Sequence, residues 1–94
     1  MTIRKFLCSD TESLYEGGRP GRFRQIESTA ERKLQMLDDA VDLNDLRSPP
    51  GNRLEALSGD RAGQHSIRSI NGQWRICFVW TEAGPDRVEI VDYH

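Results

Sequence analysis

The spacing of hydrophobic residues changes near residue 53 and divides the chain into a helical part and a strand-forming part. Before that point, one segment carries apolar residues at intervals of three and four. They are Phe23, Ile26, Ala30, Leu34, Leu37 and Val41. A stripe with this period predicts a long amphipathic helix whose apolar side packs against another element.

A shorter helix is predicted upstream of this stripe. Ser9 and Glu12 have the spacing of a capping box, and Gly17 offers the left-handed residue that commonly ends a helix. Before Ser9, residues 3–6 are expected to form an edge strand. Residues 3–41 are therefore predicted to hold one strand and two helices.

From residue 53 onward, apolar and polar residues alternate, which is the period of a β-strand. Strands are predicted at about 53–57, 64–70, 73–81 and 87–93, with turns at 58–60, 71–72 and 82–85. Asn71-Gly72 is the strongest hairpin signal, because both central residues of a type I′ turn need a positive φ. The second half is therefore predicted to be an antiparallel meander.

Counting outward from Asn71-Gly72 pairs Arg68 with Arg75, and opposite residues share a face of the sheet. Two facing arginines destabilise a hairpin unless a carboxylate or an anionic ligand lies nearby. The other face is apolar and is expected to cover the long helix, leaving the arginine side open. It carries Ile67, Trp74, Ile76, Phe78 and Trp80.

These elements predict a single α+β domain over residues 1–94, with an N-terminal strand and two helices packed on one face of an antiparallel β-sheet. A chain of 94 residues can bury one core but not two. No apolar run approaches the length of a membrane span, and residues 1–6 lack the apolar core of a signal peptide. We therefore expect a cytoplasmic protein without a membrane partner.

Charge is distributed unevenly along the chain. The net charge of -2 argues against nucleic-acid binding by bulk charge alone. Residues 47–75, however, contain five arginines and only two carboxylates, Glu55 and Asp60. The local net charge is therefore +3. Arginine fits phosphate bidentately and stacks on bases, so this region suits an anionic polymer. An uneven but merely solvated surface is the alternative.

The two cysteines, Cys8 and Cys77, lack the paired spacing of a metal site. In a reducing compartment they are expected to be free thiols in or near the core. The sequence also has no glycine-rich phosphate loop. No metal ion and no cofactor are therefore expected.

Two histidines are the remaining acid/base candidates. Counting from the turn places His65 opposite Phe78 on the apolar face, where we expect a partly buried core residue. His94 directly follows Asp92 and Tyr93, an order that supplies a carboxylate, a phenol and a group titrating near neutrality. A frayed terminus without a role is the alternative.

Several stretches together carry a resemblance to a known family. They are P-P-G-N-R-L-E-A-L-S-G-D-R-A-G-Q-H-S-I-R, Q-W-R-I-C-F and V-E-I-V-D-Y-H, preceded by E-R-K-L-Q-M-L-D. With them, nearly the whole chain resembles the HigB-type toxins of the RelE/ParE superfamily, the toxin halves of bacterial toxin-antitoxin modules. The resemblance implies a RelE-like fold.

It also implies a ribosome-dependent endoribonuclease that cuts mRNA in the ribosomal A site and so inhibits translation and growth. In such toxins the ribose 2′-OH attacks the adjacent phosphate without a metal. The implied partner is a helix-turn-helix, HigA-like antitoxin, through which the toxin reaches operator DNA only indirectly.

Carried over by position, the resemblance implies four catalytic residues. His94 would act as acid/base, with Asp92 as its orienter or a second proton-transfer group. Tyr93 would hydrogen-bond or stack on a base, and Arg75, the arginine of W-R-I, would clamp the phosphate.

Further RNA-binding candidates are weaker. Arg61 is an equally good candidate for holding the turn at 58–60 together with Asp60. The full set is Arg68, Arg61, Arg53 and Glu55.

Two departures from the resemblance affect the expected chemistry. Many relatives have His where Glu55 stands and Lys where Ser58 stands. Glu55 can serve as a base, but Ser58 cannot replace an ammonium group, so a weaker or slower nuclease is expected. The competing interpretations are a non-nuclease toxin that binds DNA gyrase, and a protein whose main task is to hold an antitoxin on operator DNA.

Overall fold

The computed structural model describes residues 2–68 and 73–92 of the chain. Two α-helices come first, followed by four strands. The elements are α1 (Ser9–Tyr15), α2 (Glu27–Asp39), β1 (Glu55–Ala56), β2 (His65–Arg68), β3 (Trp74–Thr81) and β4 (Gly84–Asp92). The strands form one antiparallel sheet in the order β1-β2-β3-β4. The predicted α+β class is confirmed.

The predicted hairpin register is also confirmed. Arg68 pairs with Arg75 across β2 and β3, and His65 pairs with Phe78. The Asn71-Gly72 turn itself lies outside the described residues. The alternation of apolar and polar residues also determines this register, because a slip of one residue would move every apolar side chain to the wrong face.

One face of the sheet forms the core together with both helices. Phe23, in a short 3₁₀ turn before α2, forms a T-shaped pair with the Trp74 ring, with 5.8 Å between ring centroids. The fully buried core residues include Leu14, Phe23, Ala30, Leu34, Leu37, Ile67, Ile76, Phe78 and Val88. His65 lies on this face, partly buried and stacked on Phe78, as expected.

The long helix is shorter than the apolar stripe predicted. It ends at Asp39, and Ala40 is already extended, so Val41 lies 69% exposed. The inclusion of Val41 in the core was wrong. The apolar stripe indicates which side chains point inward but not where the helix begins. Phe23 is buried although it lies in a 3₁₀ turn before the helix.

The N-terminal segment covers the outer edge of β4 instead of forming a full strand. Phe6 makes one isolated parallel bridge with Val88. The amide of Val88 donates to the Lys5 carbonyl at 2.9 Å, and the amide of Arg4 donates to the Pro85 carbonyl at 2.7 Å. The predicted strand at 3–6 is thus reduced to a bridge with flanking hydrogen bonds.

The start of α1 differs from the prediction, whereas its end agrees. Cys8 is the N-cap and makes no side-chain capping hydrogen bond, so the Ser9–Glu12 capping box is wrong. Gly17 has a φ of 97° and donates its amide to the Leu14 carbonyl at 3.1 Å. A left-handed residue therefore ends the helix, as expected.

Asp38 joins the N-terminal segment to both helices. Its Oδ1 atom accepts the amide of Ile3 at 2.8 Å. Its side chain is also hydrogen-bonded to Tyr15, whose pKa is raised first by burial and then by this contact. One α2 carboxylate thereby fixes the position of α1 and of the segment that precedes it.

No helix in the described ranges 2–68 and 73–92 is long and apolar enough to cross a membrane.

Candidate functional site

The sheet face turned away from the helices carries most of the polar candidates. We call it the arginine face. It comprises Glu55, Ser66, Arg68, Arg75, Cys77, Glu89 and Val91, placed there by the strand register. Alternation puts these residues opposite the core face formed by Ile67, Ile76 and Ile90.

Arg75 lies at the centre of the arginine face and is only 7% exposed. Its Nε donates to Ser66 Oγ at 2.7 Å, and its Nη2 donates to the Arg53 carbonyl at 2.8 Å. The expectation of an open Arg75 was wrong. Its guanidinium group is held from two sides and links β3 to the chain just before β1.

Arg53 presents its carbonyl to Arg75 because of its backbone conformation. It has a φ of 47° and a ψ of 55°, in the left-handed region that non-glycine residues rarely occupy. Its side chain is exposed. The strained residue thus helps to fix the central guanidinium through its backbone, which residue type alone does not reveal.

Glu55 supplies the carboxylate that facing arginines need. It lies on β1 opposite Ser66, and its Oε1 is 3.4 Å from Arg75 Nη2. The Glu55 side chain is 55% exposed, while that of Arg75 is almost completely buried. The ion pair therefore sits at the surface of the arginine face, with its carboxylate toward solvent.

Arg68, directly across from Arg75, is bonded differently. It is half-buried, and its Nε is a buried donor that has no hydrogen-bond partner within the described residues. A buried donor left unpaired is costly, so such a group favours a ligand that accepts a hydrogen bond. Arg68 thus brings one unpaired buried donor to this face.

Arg61 belongs to the same face but is tied to β4. Its Nη1 donates to Glu89 Oε1 at 3.0 Å and to Gln64 Oε1 at 3.1 Å. The structure thus gives it a role in connecting the 3₁₀ turn Gly59–Arg61 to the sheet. Ser58, the N-cap of that turn, makes no side-chain capping bond and is exposed.

Cys77 lies buried among these charges and is a free thiol, as expected. Burial raises the pKa of the Cys77 thiol, and Glu89 and Glu55 act in the same direction against Arg61 and Arg75. The thiol therefore stays protonated at neutral pH and is a poor nucleophile. Cys8, also a free thiol, is only partly buried.

The three residues expected to perform proton transfer are placed only in part. Tyr93 and His94 lie outside the described residues. Asp92 pairs with Trp74, whereas Val91 pairs with Arg75, so Asp92 leaves β4 on the side opposite the arginine face. Its Oδ2 accepts a long hydrogen bond of 3.4 Å from Gln73 Nε2.

The structure therefore brings together Arg53, Arg61, Arg68, Arg75 and Glu55, and places Asp92 at the end of β4 on the other side. Sequence reasoning missed Ser66, the buried hydroxyl that accepts from Arg75. A signal was available, because the register that paired Arg68 with Arg75 also puts Ser66 on their face.

Asn52 was also missed. It is completely buried and donates to the carbonyls of Leu46 and Ser48, at 3.1 and 3.3 Å, while its Oδ1 accepts from Lys33. Burial lowers the pKa of Lys33. The Asn52 side chain thus fixes the irregular segment between α2 and β1, and this segment positions Arg53 and Glu55 at the site.

A groove of about 440 Å³ lies on the exposed side of α2, away from the arginine face. Its lining residues are Arg32, Gln35, Met36, Asp39, Ala40 and Asp45. Asp45 already accepts the amides of Val41 and Asp42. In the ranges 2–68 and 73–92, no three His, Cys, Asp or Glu side chains are grouped as metal ligands.

Comparison with known proteins gives concordant matches. A family model described as the RelE-like toxin of type II toxin-antitoxin system HigB matches residues 9–94. Toxin HigB-1 of Vibrio cholerae serotype O1 is 44% identical over 73 residues, which are 76% of each chain. An uncharacterized protein of Haemophilus influenzae is 45% identical over 49 residues, covering 52% of this chain and 48% of that one.

Proposed function

We propose a molecular activity for this chain on the premise that it belongs to the HigB family of RelE-like toxins, from type II toxin-antitoxin systems. A toxin of such a system has an antitoxin as its partner. The proposed activity is ribosome-dependent cleavage of mRNA, which stops translation and growth.

The observation that carries this proposal is the pairing of Arg68 with Arg75 on the arginine face, with the Arg68 Nε unpartnered. Guanidinium groups bind phosphate through paired hydrogen bonds and stabilise the charge that develops on it during displacement. Two adjacent arginines suit a phosphodiester, which presents two non-bridging oxygens. A polymer of phosphodiesters is the substrate class that this face favours.

Cleavage then requires attack of a 2′-OH on the adjacent phosphate, with one group to remove its proton and another to protonate the 5′-oxygen. We assign His94 as the acid/base and Tyr93 as the hydrogen-bonding or stacking group. Asp92 is assigned to orient His94 across the end of β4, since its own side chain leaves that strand on the side opposite the arginine face. Glu55, carrying the exposed carboxylate of the arginine face, is the alternative base.

Arg75 is assigned to the phosphate as a buried guanidinium group that is already fixed in place. Because Ser66 and the Arg53 carbonyl hold it, its guanidinium group is positioned in advance, and positioning of this kind lowers the cost of binding a transition state. Arg68, which is half-buried, is the more exposed of the two side chains. Both arginines are assigned to the phosphate, with Arg61 and Arg53 supporting the site from its edges.

The sparse chemistry of the face supports the proposed dependence on the ribosome. Among its described residues only Glu55 and Glu89 are carboxylates, and Glu89 is engaged by Arg61. Such a site gains most from a substrate that a partner already holds in the reactive geometry. The proposed partners are therefore the ribosome with its mRNA and a helix-turn-helix antitoxin of the HigA kind, all in the cytoplasm.

The test is to induce the chain in cells and map new mRNA 5′ ends. Wild type should create them, and His94→Ala and Arg68→Ala should each reduce them by about 10²-fold or more. Arg24→Ala is the matched control, since Arg24 is exposed and lies beside the 3₁₀ turn before α2. Growth arrest without new mRNA ends, with damage to DNA instead, would identify the gyrase-binding alternative.

A further inference from the structure

The ion pair of Glu55 and Arg75 occupies the place where the proposed substrate would bind. The carboxylate Oε1 is 3.4 Å from Arg75 Nη2, on the solvent side of an otherwise buried guanidinium group. We infer that Glu55 is an internal stand-in for the phosphate, and that RNA binds the arginine face by displacing this carboxylate from Arg75. This inference rests on the proposed function for the nature of the ligand.

Of the two partners, the carboxylate is the one free to leave. Arg75 keeps its bonds to Ser66 Oγ and the Arg53 carbonyl when Glu55 departs, so the guanidinium group does not move. Glu55 has a side chain that is 55% exposed and lies on β1, which is two residues long. Its carboxylate can therefore turn into water and be hydrated there.

Arg68 explains why a phosphate can compete with the Glu55 carboxylate for Arg75. Its buried Nε has no acceptor within the described part of the chain, and it lies directly across from Arg75. Facing residues on antiparallel strands have Cβ atoms roughly 5 Å apart, within reach of one phosphate. A phosphodiester can thus contact the half-buried Arg68 side chain and take the Glu55 position on Arg75 at the same time, whereas the Glu55 carboxylate is ion-paired with Arg75.

This arrangement makes Glu55 a residue that sets affinity and selectivity. A weakly held anion does not displace it, because the exchange only replaces one contact to Arg75 by another. An anion that also engages Arg68 gains an additional charge-assisted hydrogen bond. The site therefore favours a phosphodiester lying across both arginines over an isolated anion at one of them.

The experiment measures binding of a short single-stranded RNA, methylated at every 2′-oxygen so that it cannot be cut, to the purified protein without ribosomes. Glu55→Gln keeps the size and the hydrogen-bonding oxygen but removes the charge. It should bind the RNA about two- to fivefold more tightly than wild type, the range in which exposed ion pairs act. Glu82→Gln, in the exposed turn between β3 and β4, makes the same charge change away from the site and is the control.

A second comparison tests the role of Arg68. In an Arg68→Ala background, Glu55→Gln should lose most of its gain, because the phosphate no longer spans two arginines. Equal binding by Glu55→Gln and Glu82→Gln would overturn the inference, and so would a full gain that persists without Arg68. Because nothing is cleaved in this assay, tighter binding with no new mRNA ends in cells would uphold the inference while rejecting the proposed function.

Discussion

The side-chain hydroxyl of Thr11 on α1 accepts the backbone N–H of Ile90 on β4, with 3.1 Å between the two atoms, in a fully buried position. The N–H of Ile90 points to the outer edge of β4, where no further strand lies among the described residues. A helix hydroxyl thus completes the hydrogen bonding of a sheet edge. The contact ties α1 to the last strand.

Thr11→Val tests this contact, because valine has nearly the same shape but cannot accept the hydrogen bond. A buried donor left unpaired costs about 1–3 kcal/mol, so the free energy of unfolding should fall by that amount. Urea denaturation provides the measurement. Thr29→Val on α2, at a partly exposed position, is the control and should change stability by about 0.5 kcal/mol or less. Equal effects of the two variants would contradict the proposed edge contact.

Asn52→Ala should be among the more damaging polar substitutions. It removes the donor to the Leu46 and Ser48 carbonyls and leaves Lys33 without its acceptor. We expect a loss of about 2–4 kcal/mol in the free energy of unfolding, from buried groups left unsatisfied. Asn44→Ala, at an exposed position nearby, serves as the comparison. If both variants melt at the same temperature, Asn52 does not fasten this segment.

Ser66→Ala tests how firmly Arg75 is held. The variant takes away the acceptor of a buried guanidinium N–H, a charge-assisted bond worth about 1.5–3 kcal/mol. Ser66→Thr keeps a hydroxyl and suits a strand, so it should restore most of the stability. Thermal unfolding compares the three proteins. Failure of threonine to rescue would mean that the serine is needed for its size rather than for its hydroxyl.

Cys77 should make the free energy of unfolding depend on pH in the alkaline range. Burial raises the pKa of its thiol in the folded state above the ordinary value near 9.0. The unfolded chain then releases its proton first, so the thiol's contribution to stability is complete below pH 9 and is lost as pH rises toward the folded pKa. Comparing wild type with Cys77→Ala between pH 7 and 10 isolates this contribution. The difference should grow smaller above pH 9, and a constant difference would contradict it.

Ser58→Lys tests the departure from the toxins that this chain resembles. Ser58 is exposed and makes no capping bond, so a lysine should fit without loss of stability. One additional phosphate contact should steepen the slope of log affinity against log salt by about 0.7 for single-stranded RNA. Binding titrations at several salt concentrations give this slope. Ser58→Ala should leave it unchanged, and an unchanged slope with lysine would place position 58 outside the RNA contact.

Much of the sheet was predictable because two independent signals agreed. The Asn71-Gly72 turn set the pairing, and alternation of apolar residues excluded a slip, so Arg68 was correctly paired with Arg75. The burial of Arg75 was not predictable in the same way. Alternation assigns a side chain to a face but does not reveal what covers that face.

The cover over Arg75 depends on irregular backbone. Arg53 adopts a left-handed conformation and turns its carbonyl inward, while Asn52 anchors the segment before it. Neither feature follows from a periodic pattern. The prediction for Val41 was wrong because the apolar period continues by coincidence two residues beyond the last helical residue. The periodic patterns thus predict the helices and strands, whereas the site depends on the irregular segments that connect them.

The N-terminal segment that lies over β4 also covers one edge of the sheet. With that edge covered by Phe6 and its neighbours, the described sheet exposes a free edge at β1, which is two residues long. An edge so short offers little backbone for another copy to add a strand. The short β1 edge therefore disfavours edge-to-edge association between copies of the toxin.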